Sequence, residues 1–246
     1  MGQPLGDGEA VTVLLTARMV AQADGRAAWD WAFAWDILPD LLRGLWVTVQ
    51  ATAVGIVIAM VLGLVLAIAR RSTIKVISWP VAAFVEFVRG TPLLVQLFFL
   101  FYVLPTTFDV VLSGFVTGAL GLGIHFACYT SESYRAGIES VDRGQWEAAT
   151  AVNLNAATTW TKVVLPQAIP TVIPALGNYL VAMLKDAPLL STITVLELLA
   201  EAKRIQSVTF RPTEAFTMAG VLFLAVSIPS ATLVRFLERR YRYERV

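Results

Sequence analysis

Residues 144–167 read GQWEAATAVNLNAATTWTKVVLPQ and carry one carboxylate, Glu147, just after Gly144 and Trp146 and ahead of Ala148 and Ala149. Ala148 and Ala151 keep a helix here slim, and on the side of the membrane assigned below it would face partners in water. From physical chemistry alone, a mere amphipathic connector is an equal reading of this segment. Other polar groups sit within apolar stretches: Glu86, Arg89, Gln96, His125, Asn178, Lys185 and Asp186. In lipid such groups are costly, so they either pair internally or line a path for a polar solute. Glu86 and Arg89 stand three residues apart and fit a structural ion pair as well as the border of a path. Gln96, His125 and Asn178 can bond between helices, or replace the hydration of a zwitterion at mid-membrane. Lys185 and Asp186 suit a gate and a headgroup anchor equally, and Glu132 can pair with Arg135 one turn on.

No catalytic constellation accompanies these groups. His125 is the sole histidine and lies alone within an apolar stretch, so neither a Ser/His/Asp arrangement nor a metal site is expected. Cys128 is the sole cysteine, which excludes an intrachain disulfide and a cysteine-rich metal site, and its apolar surroundings predict a small buried hydrophobe. No G-x4-G-K-[ST] phosphate loop occurs, so any nucleotide energy must come from another polypeptide. Neither an enzyme nor a resident cofactor is expected.

The elements that must position these groups are membrane helices. The chain is 57% hydrophobic and only 15% charged, too apolar for a soluble surface, and its net charge of +1 gives no case for nucleic acid. Five spans are predicted: Leu45–Ala69, about Pro92–Leu104, Val110–Tyr134, Val163–Leu184 and Ala215–Phe236. The second follows a short helix ending near Phe87 and the Gly90-Thr91-Pro92 break, and reaches across only if that helix is partly immersed. In the third, Gly114, Gly118 and Gly121 permit close helix contact. Pro166, Pro170 and Pro174 predict kinks in the fourth. Ala187–Leu199 is apolar but too short to cross, which suggests a re-entrant or interfacial segment.

Residues 1–40 read as an extracytoplasmic or interfacial tail, with Trp29, Trp31 and Trp35 at headgroup level. The Ala21-Gln22-Ala23 stretch mimics a signal-peptidase site, but acidic Asp7 and Glu9 stand where a basic region belongs. In the 135–162 segment, Asp142 and Asn155 are candidate helix caps, and Asn153 tolerates the left-handed conformation that ends a helix.

The residues Glu147-Ala148-Ala149, Asn153 and Val163-x-Leu165-Pro166 resemble the E-A-A-x3-G-x9-I-x-L-P motif of permease subunits of bacterial ATP-binding-cassette (ABC) importers. Spacing matches throughout, with Asn153 in place of Gly and Val163 in place of Ile. Glu86-Phe87-Val88-Arg89-Gly90-Thr91-Pro92-Leu93-Leu94-Val95-Gln96 is similar to the E-x-x-R-G-T-P-L-L-V-Q run of the polar amino-acid branch. Tyr129–Val141, Pro166-Gln167-Ala168 and Lys185-Asp186-x-Pro188-Leu189-Leu190 fit the same branch, and the wording of ITVLELL and GIHFACYTSESYRAGIESVDRGQWEAAT is most like permeases for ectoine and hydroxyectoine.

The resemblance implies an all-α transmembrane importer domain of type I over 41–240, with a cytoplasmic coupling helix and a basic C-terminal end at 241–246. Gly144, Trp146, Glu147, Ala148, Ala149, Asn153, Leu165 and Pro166 would serve coupling to an ATPase. It implies four partners: a cytoplasmic ATPase dimer that uses ATP and Mg, a second permease copy or related chain, an extracytoplasmic solute-binding protein, and the bilayer of the bacterial inner membrane. The solute would be a polar amino acid or zwitterionic derivative. The spans also suit an ATP-independent carrier or channel, which copurification of an ATPase would separate from an importer. A membrane scaffold without transport would not need ionisable groups inside spans.

Orientation follows from charge. One side carries eleven basic residues, Arg70, Arg71, Lys75, Arg135, Arg143, Lys162, Arg235, Arg239, Arg240, Arg242 and Arg245. The other carries seven, Arg18, Arg26, Arg43, Lys185, Lys203, Arg204 and Arg211, and Arg89 is assigned to neither. The richer side is expected in the cytoplasm. A reporter fused after Val246 should therefore be cytoplasmic and one near Gly25 extracytoplasmic. Both on one side would mean a miscounted span.

Overall fold

The computed structural model describes residues 29–242, so most of the expected N-terminal tail and the last four residues lie outside the described part. Every regular element within it is helical. A short α1 (Trp31–Asp36) precedes α2 (Leu38–Arg70); α3 (Lys75–Arg89) and α4 (Leu93–Phe98) flank a sharp break. A π-helical stretch then leads into α5 (Leu104–Phe108), followed by α6 (Gly114–Glu139), α7 (Arg143–Ala151) and α8 (Ala156–Thr159). A second π-helical stretch leads into α9 (Leu165–Asp186), which runs on as a 3-10 helix to Ile193, before α10 (Leu198–Thr209) and α11 (Pro212–Arg242).

Among the described residues, three helices are long and apolar enough to cross a membrane: Leu38–Arg70, Ala156–Ile193 and Pro212–Phe236. The pair Lys75–Arg89 and Leu93–Phe108, bent by 108°, brings the number to four if it counts as one span. Helix α6 is long enough, about 39 Å, but its glycines and polar residues dilute its hydropathy. It is nonetheless the most enclosed helix, and its contact with α2 is the most extensive in the fold.

Glycines make that contact possible. A Cβ on Gly123 would lie 2.5 Å from Ile58 Cγ2, and one on Gly63 would lie 2.9 Å from the Ala127 carbonyl oxygen. The predicted Gly114, Gly118 and Gly121 do meet neighbours closely: Ile193, Leu190 and Leu97, respectively. Around the seam, Ala51, Ala59, Leu97, Leu122, Phe126, Met183 and Leu190 form the main core.

Several boundaries differ from the sequence expectation. The third predicted span starts, as α6, at Gly114, capped by the Ser113 hydroxyl, and not at Val110. Residues 187–193 form no separate re-entrant segment; they continue α9 directly, because Pro188 sits in the first turn of the 3-10 helix, where its missing N–H costs nothing. Pro170 and Pro174 are accommodated within α9. Both π-helical stretches end two residues before a proline, Pro105 and Pro166. A wider turn there relieves the clash of the ring with the carbonyl four residues back.

Helix α10 was not anticipated. Its cap, Glu197, is fully buried and accepts hydrogen bonds from the Leu199 and Ala200 amides at 2.9 and 2.7 Å. The Leu198 amide donates to Thr48 Oγ1 at 3.1 Å, and α2 comes so close that a Cβ on Gly44 would sit 2.9 Å from Leu198 Cα. Burial pushes the Glu197 carboxyl up to about 7, against the pull of the two amides and Lys203. A carboxyl raised above its unfolded value stabilises the fold below that unfolded value, and the contribution is lost as pH rises through the folded value. Thermal unfolding in detergent should therefore show the wild type losing up to about 3 kcal/mol between pH ~4.5 and pH ~7 relative to Glu197→Gln, which keeps the acceptor without the charge. Parallel pH profiles for the two proteins would refute this role.

Candidate functional site

One face of α6 carries a polar seam. His125, Tyr129, Glu132, Arg135 and Glu139 recur at helical spacing, so their side chains share a side. The α3–α4 break lies against this face. Gln96 Nε2 donates to the carbonyls of Val88 (2.7 Å) and Thr91 (3.1 Å) and lies 2.8 Å from Thr91 Oγ1. Gln96 Oε1 faces His125 Nδ1 at 3.1 Å, and the imidazole packs against Phe126 and Tyr129. Carbonyls freed at a helix break need partners in a membrane, and Gln96 supplies them. Its amide is thus taken up by the fold, which favours the interhelical role among those its sequence position allowed. An apolar cavity of about 290 Å³, walled by Phe84, Phe87, Val95 and Phe99, opens beside it.

Below His125, Glu132 joins three arginines. Its Oε1 accepts from Arg70 at the end of α2 and lies 3.5 Å from Arg89 Nη1, while its Oε2 accepts from Arg135 at 2.8 and 3.0 Å. Glu86 reaches Arg89 at 3.4 Å, so the expected pair forms, but Glu86 is largely exposed and Glu132 is the more enclosed partner. Arg135 also holds Glu139 at 2.6 Å, and Arg89 lies over the Tyr129 ring at 5.4 Å. Arg70, Glu86, Arg89, Glu132 and Arg135 line an open groove of about 500 Å³. The Glu132–Arg135 pair was legible from spacing; Arg70, 62 residues away, was not.

The opening segment folds as two capped helices. Asp142 Oδ1 accepts from the Gly144 amide at 2.7 Å, and Asn155 Oδ1 from the Thr158 amide at 2.8 Å. Asn153 adopts φ 55°, the left-handed conformation expected of it. Trp146 stacks edge-on against Trp160 at 5.4 Å and packs on the Val141, Val164 and Ala168 cluster, and Ala149 is buried. Gly144, Glu147 and Ala148 are exposed. Trp146 and Ala149 thus face the body of the chain, while Glu147 and Ala148 face outward. Leu165 is exposed and Pro166 opens α9 after the π-helical stretch.

Lys185 and Asp186 lie deeper than the end of a span. Their neighbour Met183 touches Gly55, which lies about 15 Å along α2 from Leu45 and about 21 Å from Ala69. Lys185 also lines a cleft of about 310 Å³ with Gly220, Phe223, Leu224 and Ser227, the middle of the Pro212–Phe236 span. Among the described residues neither Lys185 nor Asp186 has a hydrogen-bond or ion-pair partner. Asn178, exposed on the same helix, donates to Glu238 Oε1 at 3.3 Å. The structure therefore brings Glu86, Arg89, Gln96 and His125 together on one seam, and leaves Asn178, Lys185 and Asp186 apart from it on α9.

Residues 40–243 match the family described as the inner membrane component of binding-protein-dependent transport systems. The chain belongs to this family. The permease is 49% identical over 207 residues, 84% of its length and 89% of the relative's, to a probable amino-acid ABC transporter permease of Sinorhizobium fredii. It is 37% identical over 179 residues, 71% of its length and 76% of the relative's, to the L-cystine transport system permease TcyB of Bacillus subtilis. Among solved structures, an amino acid ABC transporter crystallised with histidines aligns at a TM-score of 0.81 with 34% identity, over 87% of this permease and 99% of that chain. The permease is thus a multi-pass inner-membrane subunit of the amino-acid and polar-solute ABC transporters, with a transport role and not a catalytic one.

Because Arg70 has no acidic partner besides Glu132 among the described residues, Glu132→Gln should lower stability by on the order of 3 kcal/mol by leaving a nearly enclosed guanidinium unbalanced. Glu86→Gln, at an exposed site, should change it by less than about 0.5 kcal/mol. Equal melting shifts for the two in detergent would show that Glu132 is not the node.

Proposed function

We propose that this permease forms half of an ATP-driven import path for a zwitterionic amino acid, crossing the membrane five times with its N-terminus outside and its C-terminus in the cytoplasm. The fifth crossing is α6, which is long enough and lies at the centre of the helices already apolar enough to span. Residues 41–240 make up the transport domain. A second copy or a related chain completes the path, a solute-binding protein delivers the solute outside, and an ATPase dimer drives the cycle from the cytoplasm. Helix α7 is the coupling element, with Glu147 and Ala148 presented outward to the ATPase and Trp146, Ala149, Asn153, Leu165 and Pro166 fixing its attitude.

One observation carries the solute reading: adjacent Lys185 and Asp186 lie near mid-membrane without partners among the described residues. An unpaired cation and anion at consecutive helical positions, about 100° apart around the axis, offer one group each for a carboxylate and an ammonium, and such groups are tolerated in a membrane where they face a path. The cationic amine of the solute would meet Asp186 and its carboxylate Lys185, with Asn178 further along the same helix. The likeness to an L-cystine permease and to a transporter crystallised with histidines supports an amino acid. Ectoine and hydroxyectoine, also compact zwitterions, are supported by sequence wording alone.

In proteoliposomes holding the complete transporter, Glu147→Lys and Ala148→Trp should reduce ATP-driven uptake to background while leaving insertion intact. Ala149→Trp should instead lower the melting temperature, because that position is filled from within. Lys185→Met or Asp186→Asn should cut uptake of zwitterionic amino acids at least about ten-fold, as expected for a lost charged hydrogen bond. Undiminished uptake in the α7 variants would sink the coupling role, and uptake confined to sugars or metal ions would sink the solute reading.

A further inference from the structure

Helix α3 does not continue the span that follows it; the bend of 108° lays it across the direction of α4 and α5. Its inner face, Val81, Val85 and Val88, packs on Leu62, Leu66, Ala127 and Cys128. Its outer face is large and apolar: Val76 is 83% exposed, Trp79 73% and Phe87 67%. The end of the helix nearest α2 is basic. Arg71 and Lys75 are exposed, no acidic residue lies between Arg70 and Val85, and neither has an ion pair among the described residues. Arg71 lies over the Trp160 ring at 5.9 Å, which holds its guanidinium beside the end of α2.

We propose that α3 lies in the headgroup layer and binds an anionic phospholipid, its phosphate held by Arg71 and Lys75 and its acyl chains laid along Val76 and Trp79. A helix with an apolar outer face, an exposed tryptophan and unpaired basic residues at one end is built to lie in a membrane interface. Charge chooses the lipid. Two cations with no counter-ion favour phosphatidylglycerol or cardiolipin over a zwitterionic lipid, and each basic residue near the surface contributes to that preference independently. A second protein chain covering this face would have to bring acidic groups to Arg71 and Lys75 and an apolar cover for Trp79, and α3 itself supplies neither.

The test uses the purified full-length permease in its transporter complex, titrated with phosphatidylglycerol or phosphatidylcholine and read by native mass spectrometry. The wild type should hold phosphatidylglycerol more tightly than phosphatidylcholine. The double variant R71Q/K75Q should bind phosphatidylglycerol roughly thirty-fold more weakly, about five-fold for each charge, while R71K/K75R keeps the preference. Should the glutamine variant fail to fold, the wild-type comparison of the two lipids and the charge-conserving variant still decide. Equal binding of the two lipids by the wild type would overturn the proposal, as would a glutamine variant that binds as the wild type does. So would efficient disulfide cross-linking of Trp79→Cys to another protein subunit in native membranes, in a Cys128→Ala background, since protein and not lipid would then cover α3.

Discussion

Gly55, Gly63 and Gly123 let α2 and α6 approach until the backbone of each meets atoms of the other or of Met183, and the rest of the chain is hung on that seam. In lipid there is no hydrophobic drive to bring helices together, so close packing of small residues has to do so. The approach places Arg70, at the end of α2, against Glu132 on α6. It also leaves a shelf on which Val85 and Val88 of α3 rest, bringing Arg89 to the same carboxylate. A bulkier residue at Gly63 would push against both Thr130 and the Ala127 carbonyl, and the charged junction would open with it.

A second constraint follows from the first. Helices crowded around a central seam cannot all be straight, yet every interruption frees backbone groups that lipid will not hydrate. The chain answers in three ways. Gln96 reaches back across the α3–α4 break to the Val88 and Thr91 carbonyls. Wide π-helical turns precede Pro105 and Pro166. At the other end, Glu197 receives the first amides of α10. Ahead of the first span the device is more ordinary: Asp30 caps α1 through the Phe33 amide, and that bond, with Arg211, holds its carboxyl below the usual range.

What could be read in the sequence was local. Asp142, Asn153 and Asn155 behave as their side-chain chemistry requires, because caps and left-handed turns depend on neighbours in the chain. Glu86 with Arg89 and Glu132 with Arg135 follow from helical spacing. Long-range partners were not legible. Nothing near Arg70 in sequence points to Glu132, and nothing near Gln96 points to His125. Ala148 and Ala149 are the same residue type in adjacent positions, yet one faces outward and the other is buried. Periodicity could not choose between them until the α7 axis was known. Helix α10 escaped notice because its few apolar positions are separated by charges, and the depth of Lys185 could only come from its register against α2 and α11.

The junction at Glu132 also has an order in time. A chain made from its N-terminus carries Arg70 for 62 residues before its carboxylate partner exists. Throughout that interval Arg70 and its neighbour Arg71 can act only as a charged stop that keeps the end of α2 at the membrane surface. When α6 enters, the same guanidinium changes task and becomes the lock that fixes α6 beside α2. One side chain thus first tells the newborn helix how far to go and later holds the finished bundle together.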